Sequence, residues 1–262
     1  MDTNESLGLH HWRPIVMKGD IPAPRSGAAS VVRMSRRICG VDSDNVLTQI
    51  VDDKLYIFGG YGGNGRLDDF HEFDFSSFKW KRLLVKGSSP CARENNGVVS
   101  RSRQLYLFGG YDGSVWLNDF HEFDIDSCTW KQMTPRGPIP SGRFGFVSAI
   151  CRDSFVLFGG YDGTAWLNDL HIYDFGETCL WRNAVVVCRL TVLLSHLAGT
   201  SAWLPVAQRG NIPSIRSCPS WVVRNGCVYM FGGYDGVQVG SSLVLVGALY
   251  VCLINFAAMH SA

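Results

Sequence analysis

Short apolar runs, broken every few residues by Gly, Pro, Asp or Ser, set the pattern of the chain. The clearest set starts at Arg143. Phe144-Gly145-Phe146-Val147-Ser148-Ala149-Ile150 predicts a first strand, A, ended by the turn-forming Cys151-Arg152-Asp153-Ser154. Phe155-Val156-Leu157-Phe158 predicts strand B, closed by Gly159-Gly160, and Asn168-Asp169-Leu170-His171-Ile172-Tyr173-Asp174 predicts strand C. Strand D is clearest one unit earlier, at Thr129-Trp130-Lys131-Gln132-Met133, followed by Pro135, Gly137 and Pro140. Short runs rich in β-branched and aromatic residues, with turn formers between them, predict an antiparallel meander.

The meander repeats. Gly-Gly-Tyr occurs at Gly59-Gly60-Tyr61, Gly109-Gly110-Tyr111, Gly159-Gly160-Tyr161 and Gly232-Gly233-Tyr234, at intervals of 50, 50 and 73 residues. The diglycine allows positive φ or a close backbone approach that a Cβ forbids. Trp12, Trp80, Trp130 and Trp203 recur in the strand D slot as apolar anchors. His71, His121 and His171 share one slot, and Asp74, Asp124 and Asp174 another, so both sets read as scaffold, the carboxylates closing the turns after strand C. Tyr111-Asp112-Gly113 and Tyr161-Asp162-Gly163 supply turn chemistry between strands B and C.

Register arithmetic locates two breaks. Trp to Arg is 13 residues in every copy, ending at Arg25, Arg93, Arg143 and Arg216. Arg to the first Gly is 16 in three copies but 34 in the first, which places an insertion at about 33–50 in the A–B turn. The strand C Asp to Trp distance is 6 in two copies but 29 in the third, which places another at 175–202. Two readings stand open for these segments. Hairpin turns accept extra length at small entropic cost, yet Val185-Val186-Val187-Cys188 and Leu190-Thr191-Val192-Leu193-Leu194 are apolar for a solvent loop, as translated intron sequence would be. The tail, 237–262, raises the same question. It has no charged residue from Val239 to Met259, a length that also suits a membrane anchor.

One meander cannot cover both of its faces, so the copies must pack on each other. Four strands in a unit of about 40 to 50 residues is the pattern of a propeller blade. An Arg, an apolar strand, a Phe-Gly-Gly, an Asn-Asp-x-His-x-Phe/Tyr-Asp and a Trp seven residues before Gly recur in phase over residues 11–236. This pattern resembles the kelch-repeat family. The Gly-Tyr-Asp-Gly-x-x-Trp-Leu-Asn-Asp version at 110–119 and 160–169 is similar to its leucine-zipper-like-regulator branch. The expected fold is all-β, an incomplete kelch-type propeller of three full blades with partial blades at each end. Ahead of it lies a short extension, 1–10; strand D alone is expected at His11–Val16, and strands A and B alone from Arg216 to Tyr234.

The resemblance implies a non-enzymatic protein-interaction scaffold, such as a substrate-recognition piece of a ubiquitin-ligase adaptor or a trafficking or cytoskeletal effector. It also implies where a partner binds. Arg25, Arg93, Arg143 and Arg216 match the slot that lines the channel mouth of kelch adaptors, and with Ser26, Asn95 and Ser217 they suggest a ring for the carboxylates of an acidic peptide. The competing reading pairs each Arg with a neighbouring blade. Trp116 and Trp166, in the B–C loops, are candidate exposed anchors, with a core role as the alternative.

Composition narrows the classes. With 24 basic and 23 acidic residues the net charge is +1, so nothing in the bulk charge points to nucleic acid. The nine cysteines show neither zinc spacing nor a disulfide framework, which with the acidic start predicts a cytosolic chain. No Gly-x-Ser-x-Gly, Walker-type or His-Glu-x-x-His motif occurs, so no catalytic residue, metal ligand or cofactor is expected. The alternatives are a kelch-type enzyme, oxidase or lyase-like, or a truncated piece of a larger kelch protein. A copper radical oxidase needs histidines outside the repeat pattern, and every strong His here lies on it.

Overall fold

The computed structural model describes residues 14–42, 45–151, 153–176, 201–240 and 243–246, with the side chains of 34–52 and 243–246 outside that description. Its regular structure is strand throughout, in four sheets. The first contains β1 (Lys18–Gly19), β2 (Ala29–Asp42), β3 (Asn45–Phe58), β4 (Phe70–Asp74) and β5 (Lys79–Arg82), ordered β1-β5-β4-β3-β2. The second, ordered β6-β10-β9-β8-β7, contains β6 (Lys86–Gly87), β7 (Gly97–Arg101), β8 (Gln104–Tyr111), β9 (Trp116–Asp124) and β10 (Thr129–Met133). The third runs in sequence order through β11 (Val147–Cys151), β12 (Ser154–Tyr161), β13 (Trp166–Asp174) and β14 (Ala202–Pro205). The fourth is β15 (Ser220–Arg224), β16 (Cys227–Phe231) and β17 (Leu243–Val246).

Alternation along each strand B explains why the sheets stack. In β8, Leu105 and Leu107 face the first sheet, where they meet Phe58 and Phe70, while Tyr106 and Phe108 face the third. Strand D adds its tryptophan to the same boundary. Trp130 packs 5.7 Å from Phe58 and 5.4 Å from Phe70, and Trp203 sits 5.1 Å from Phe108. All three core clusters therefore lie between blades, and Trp80, Trp130 and Trp203 are buried. This is the incomplete propeller that the repeat predicts.

The outer edges of the first two blades depart from the four-strand expectation. The linker leaving one strand D runs parallel to strand D of the next blade, as β1 on β5 and β6 on β10, with Arg136 bridging Ala202 in the third. The linker glycine fits there because nothing wider does. At Gly137, φ is +80° and a Cβ would stand 2.2 Å from the Trp203 carbonyl.

Four expectations change in detail. Strand A of the third blade begins at Val147 instead of Phe144, because Gly145 turns the chain at φ +63° and Phe144 instead bridges Tyr161. The first insertion is a continuation of the hairpin, since β2 and β3 stay paired out to Asp42 and Asn45, with register shifts at Arg33/Ser35 and Ile38/Val41. Residues 14–16 of the anticipated first strand D are outside any strand, and Trp12 lies outside the described residues, as does 177–200 of the second insertion. Finally, the fourth blade has three strands. β17, within the apolar tail, pairs Leu243 with Phe231 in the register that joins Leu170 to Phe158. Among the described residues no helix is long and apolar enough to cross a membrane.

Candidate functional site

One rim of the arc collects the starts of the A strands, the ends of the B strands and the B–C loops. Arg93 enters it just before β7, its Nε donating to the Cys91 carbonyl at 3.0 Å. Its guanidinium forks onto Asp119, Nη1 to Oδ1 at 2.6 Å and Nη2 to Oδ2 at 2.8 Å, and Nη1 also donates to the Gly109 carbonyl at 3.0 Å. Asp119 Oδ2 meets His121 Nε2 at 2.8 Å. The same three-residue group recurs as Arg143–Asp169–His171 and Arg25–Asp69–His71. Burial by itself would raise the pKa of Asp69, but hydrogen bonds from Arg25 and His71 outweigh it and bring the value down to about 2. Burial likewise acts against the charge of Asp119 and Asp169, and the Arg and His donors hold both well below the usual carboxylate range.

This geometry corrects the arginine ring. Arg93 and Arg143 are 0% and 1% exposed and are already paired within their own blades, so neither reading of the sequence had found the partner. Arg25 is paired in the same way. Arg216 differs. It donates to the Gly232 carbonyl at 2.7 Å and to Ser214 Oγ at 2.9 Å, and no carboxylate among the described residues meets it. Its Asp slot is filled by Ser242, outside the described residues. Ser26 and Ser217 pair through their backbones with Tyr61 and Tyr234. Asn95 lies one slot further on at φ +53°, its side chain against Gly27. Asp74, Asp124 and Asp174 accept from backbone N–H groups two or three residues on, as expected of turn closers.

Trp116 and Trp166 are half-buried members of a row instead of free anchors. Trp116 lies 4.9 Å from Tyr111 and edge-on at 5.8 Å to Tyr161, across a blade boundary. Trp166 repeats this with Tyr161 at 4.6 Å and Tyr234 at 5.5 Å. Each indole is roofed by a loop glycine of the next blade, Gly163 over Trp116 and Gly236 over Trp166. Arg66 holds this slot in the first blade, its guanidinium over Tyr61 and Tyr111 at 5.5 and 4.8 Å and bonded to Glu94 at 2.7 Å. Sequence reasoning missed Arg66, although it follows Gly59 by the seven residues that separate Trp116 from Gly109. The row thus runs Tyr61–Arg66–Tyr111–Trp116–Tyr161–Trp166–Tyr234 across four blades, exposed most at its ends, Tyr61 37% and Tyr234 41%. Beside it opens a groove of about 790 Å³ between the four A strands. Asn96 lines it, buried, with Oδ1 and Nδ2 unpartnered among the described residues.

Comparison with known proteins fits this geometry. The kelch motif is recognised at residues 45–83 and 92–137. The chain thus carries kelch motifs in two places. It is 30% identical over 93 residues to human host cell factor 2, covering 36% of the chain and 10% of that relative. It is 28% identical over 91 residues to Kelch domain-containing protein 2 of rat, mouse and human, covering 33% of the chain and 18% of each relative. The chain therefore spans less than a fifth of the length of these relatives. Kelch repeats are protein-interaction domains in general, and the aromatic row lies along one rim of this arc.

Proposed function

We propose that the kelch arc docks a partner protein along the rim, with the aromatic row as its anchor and Asn96 at the groove reading a polar group of the bound segment. The observation that carries this reading is the row itself, which is continuous over four blades and half-exposed, as aromatic hot-spot clusters are. The reading places the chain among non-enzymatic interaction scaffolds, as the recognition piece of a ubiquitin-ligase adaptor or of a trafficking or cytoskeletal effector.

A displayed random-peptide library panned on the purified chain tests it. Selected peptides are expected to bind Trp166→Ala and Tyr61→Ala at least about tenfold more weakly. Arg103→Ala, on the opposite edge, should bind as the parent does. Unchanged affinity for both aromatic variants, with their melting unaltered, rejects the rim as the docking surface.

A further inference from the structure

Every linker into a blade carries a cation in the same place. The four linkers read Lys18-Gly19-Asp20-Ile21-Pro22, Lys86-Gly87-Ser88-Ser89-Pro90, Arg136-Gly137-Pro138-Ile139-Pro140 and Arg209-Gly210-Asn211-Ile212-Pro213. The glycine has a backbone reason to recur, since Gly19, Gly87 and Gly137 lie against the carbonyls of Trp80, Trp130 and Trp203. The cation before it has none. All four cations are exposed, and Lys18 and Lys86 sit on the outermost strands of their sheets, β1 and β6. Among the described residues no carboxylate pairs with Lys18, Lys86 or Arg136.

The first blade concentrates the charge. Lys18 stands directly beside Lys79, a pairing of like charges that weakens a sheet. Lys81 and Arg82 are exposed on the same strand. The carboxylates across from Lys79 and Lys81, Asp74 and Glu72, accept from Lys54 Nζ at 2.7 and 3.2 Å, and Asp20 accepts from the Arg82 N–H at 3.1 Å. The whole chain has a net charge of only +1, so this is a local excess of cations. Many of the balancing acids lie on the rim, where arginines hold Asp69, Asp119 and Asp169, and turn N–H groups hold Asp112, Asp162 and Asp235.

Exposed aliphatic side chains accompany the cations. Ile21, Ile139 and Ile212, each three residues after its cation, are 52%, 44% and 46% exposed. In Ile21 and Ile212 the N–H donates to the linker glycine carbonyl at 3.0 Å, which holds the side chain close to the cation. The second linker has Ser89 in that slot and carries its aliphatic group on the other side of the cation, as Leu84, 86% exposed and two residues before Lys86. Single exposed aliphatics are ordinary on a protein surface. One beside a cation in every linker is a pattern.

That pattern suits one class of partner. The groove between the A strands includes none of these residues, so they offer a folded partner no cleft there. A nucleic-acid backbone attracts the cations but gains nothing from Ile and Leu. A bilayer with anionic headgroups takes both, cations at the headgroups and aliphatics at the acyl boundary.

We infer that the outer edge of the arc docks on an anionic membrane surface, with Lys18, Lys86, Arg136 and Arg209 on the headgroups and Leu84, Ile21, Ile139 and Ile212 at the acyl boundary. Neighbouring linkers act together, because one cation near such a surface contributes only about fivefold in binding. No residue of the proposed docking rim takes part, so peptide binding at the rim and vesicle binding at the edge are independent readouts.

Co-sedimentation of the full chain with vesicles tests the inference. Phosphatidylcholine vesicles containing phosphatidylserine are expected to take the chain down at low salt and to release most of it at high salt. Vesicles of phosphatidylcholine alone should take down far less. Lys86→Glu and Arg136→Glu should each bind at least about fivefold more weakly. Leu84→Ser and Ile139→Ser should each lose about threefold. All four changes are on the surface, so melting temperatures should match the parent's. Arg103→Glu, in the A–B turn of the second blade, should bind as the parent does. Equal binding to the two kinds of vesicle overturns the proposal. So do charge-reversed variants that bind like the parent, or an Arg103→Glu loss as large as theirs, which would make net charge the cause. Serine variants with the parent's affinity, or tighter binding to duplex DNA than to vesicles, overturn it by putting a phosphate backbone in place of the bilayer.

Discussion

Arg93 and Asp119, 26 residues apart in sequence, form a two-bond fork inside one blade, and the arginine is fully buried. The pair fixes the end of β8 to the start of β9 while His121 holds the same carboxylate. Removing only the acid leaves a desolvated guanidinium. Asp119→Ala is expected to cost about 3–5 kcal/mol in urea unfolding. The exposed pair Arg103–Asp126 provides the contrast, and Asp126→Ala should change stability by less than about 1 kcal/mol. Equal losses at the two sites would remove the fork from the list of blade-stabilising contacts.

Acid should loosen the blades in a defined window. The pKa of Asp69 is depressed in the fold to about 2, so its contribution is fully present above the unfolded value of about 4 and disappears as pH falls toward 2. Asp119 and Asp169, also depressed, act in the same direction. The melting temperature is expected to vary little on their account from neutral pH to about 4 and to drop below it. Asp69→Asn should start lower and show a shallower acid drop.

Two glycines with the same backbone should respond differently to a methyl group. Gly137→Ala places a Cβ against the Trp203 carbonyl and keeps a positive φ, so a loss of about 2–4 kcal/mol is expected. Gly210→Ala meets open space in the isolated chain and should cost only the positive-φ penalty, about 1–2 kcal/mol. Thermal melts of both decide it, and equal losses would show that the close approach of the Trp203 carbonyl to Gly137 adds nothing to the positive-φ cost.

Trp203 tests whether blades hold one another. It is fully buried between Phe108, Phe120 and Tyr173 of two sheets. Trp203→Ala is expected to cost about 3–5 kcal/mol and to raise amide exchange in both the second and third blades. Exchange confined to the third blade would mean that the blades open independently.

The repeat was legible because each copy writes the same local chemistry. Phe-Gly-Gly ends strand B, Trp anchors strand D, and Asp closes the turns, so strands and blade order followed from spacing. The arginine partners were not legible, because Asp69, Asp119 and Asp169 lie within strand patterns that give no sign of which cation they meet. The aromatic row was half legible. Trp116 and Trp166 stood out as large side chains in loops, but Arg66 plays the same part with a different chemistry.

By itself the sequence determined the meander, its period and the tryptophans between blades, since these depend on residue type and spacing along one strand. Only the tertiary structure decided that Arg25, Arg93 and Arg143 are paired inside their blades, that two linkers add a parallel outer strand to the first and second blades, and that Leu243–Val246 forms a third strand of the fourth blade. Those outcomes depend on which backbone and which charge arrive from distant parts of the chain, and a period records the arrival of neither.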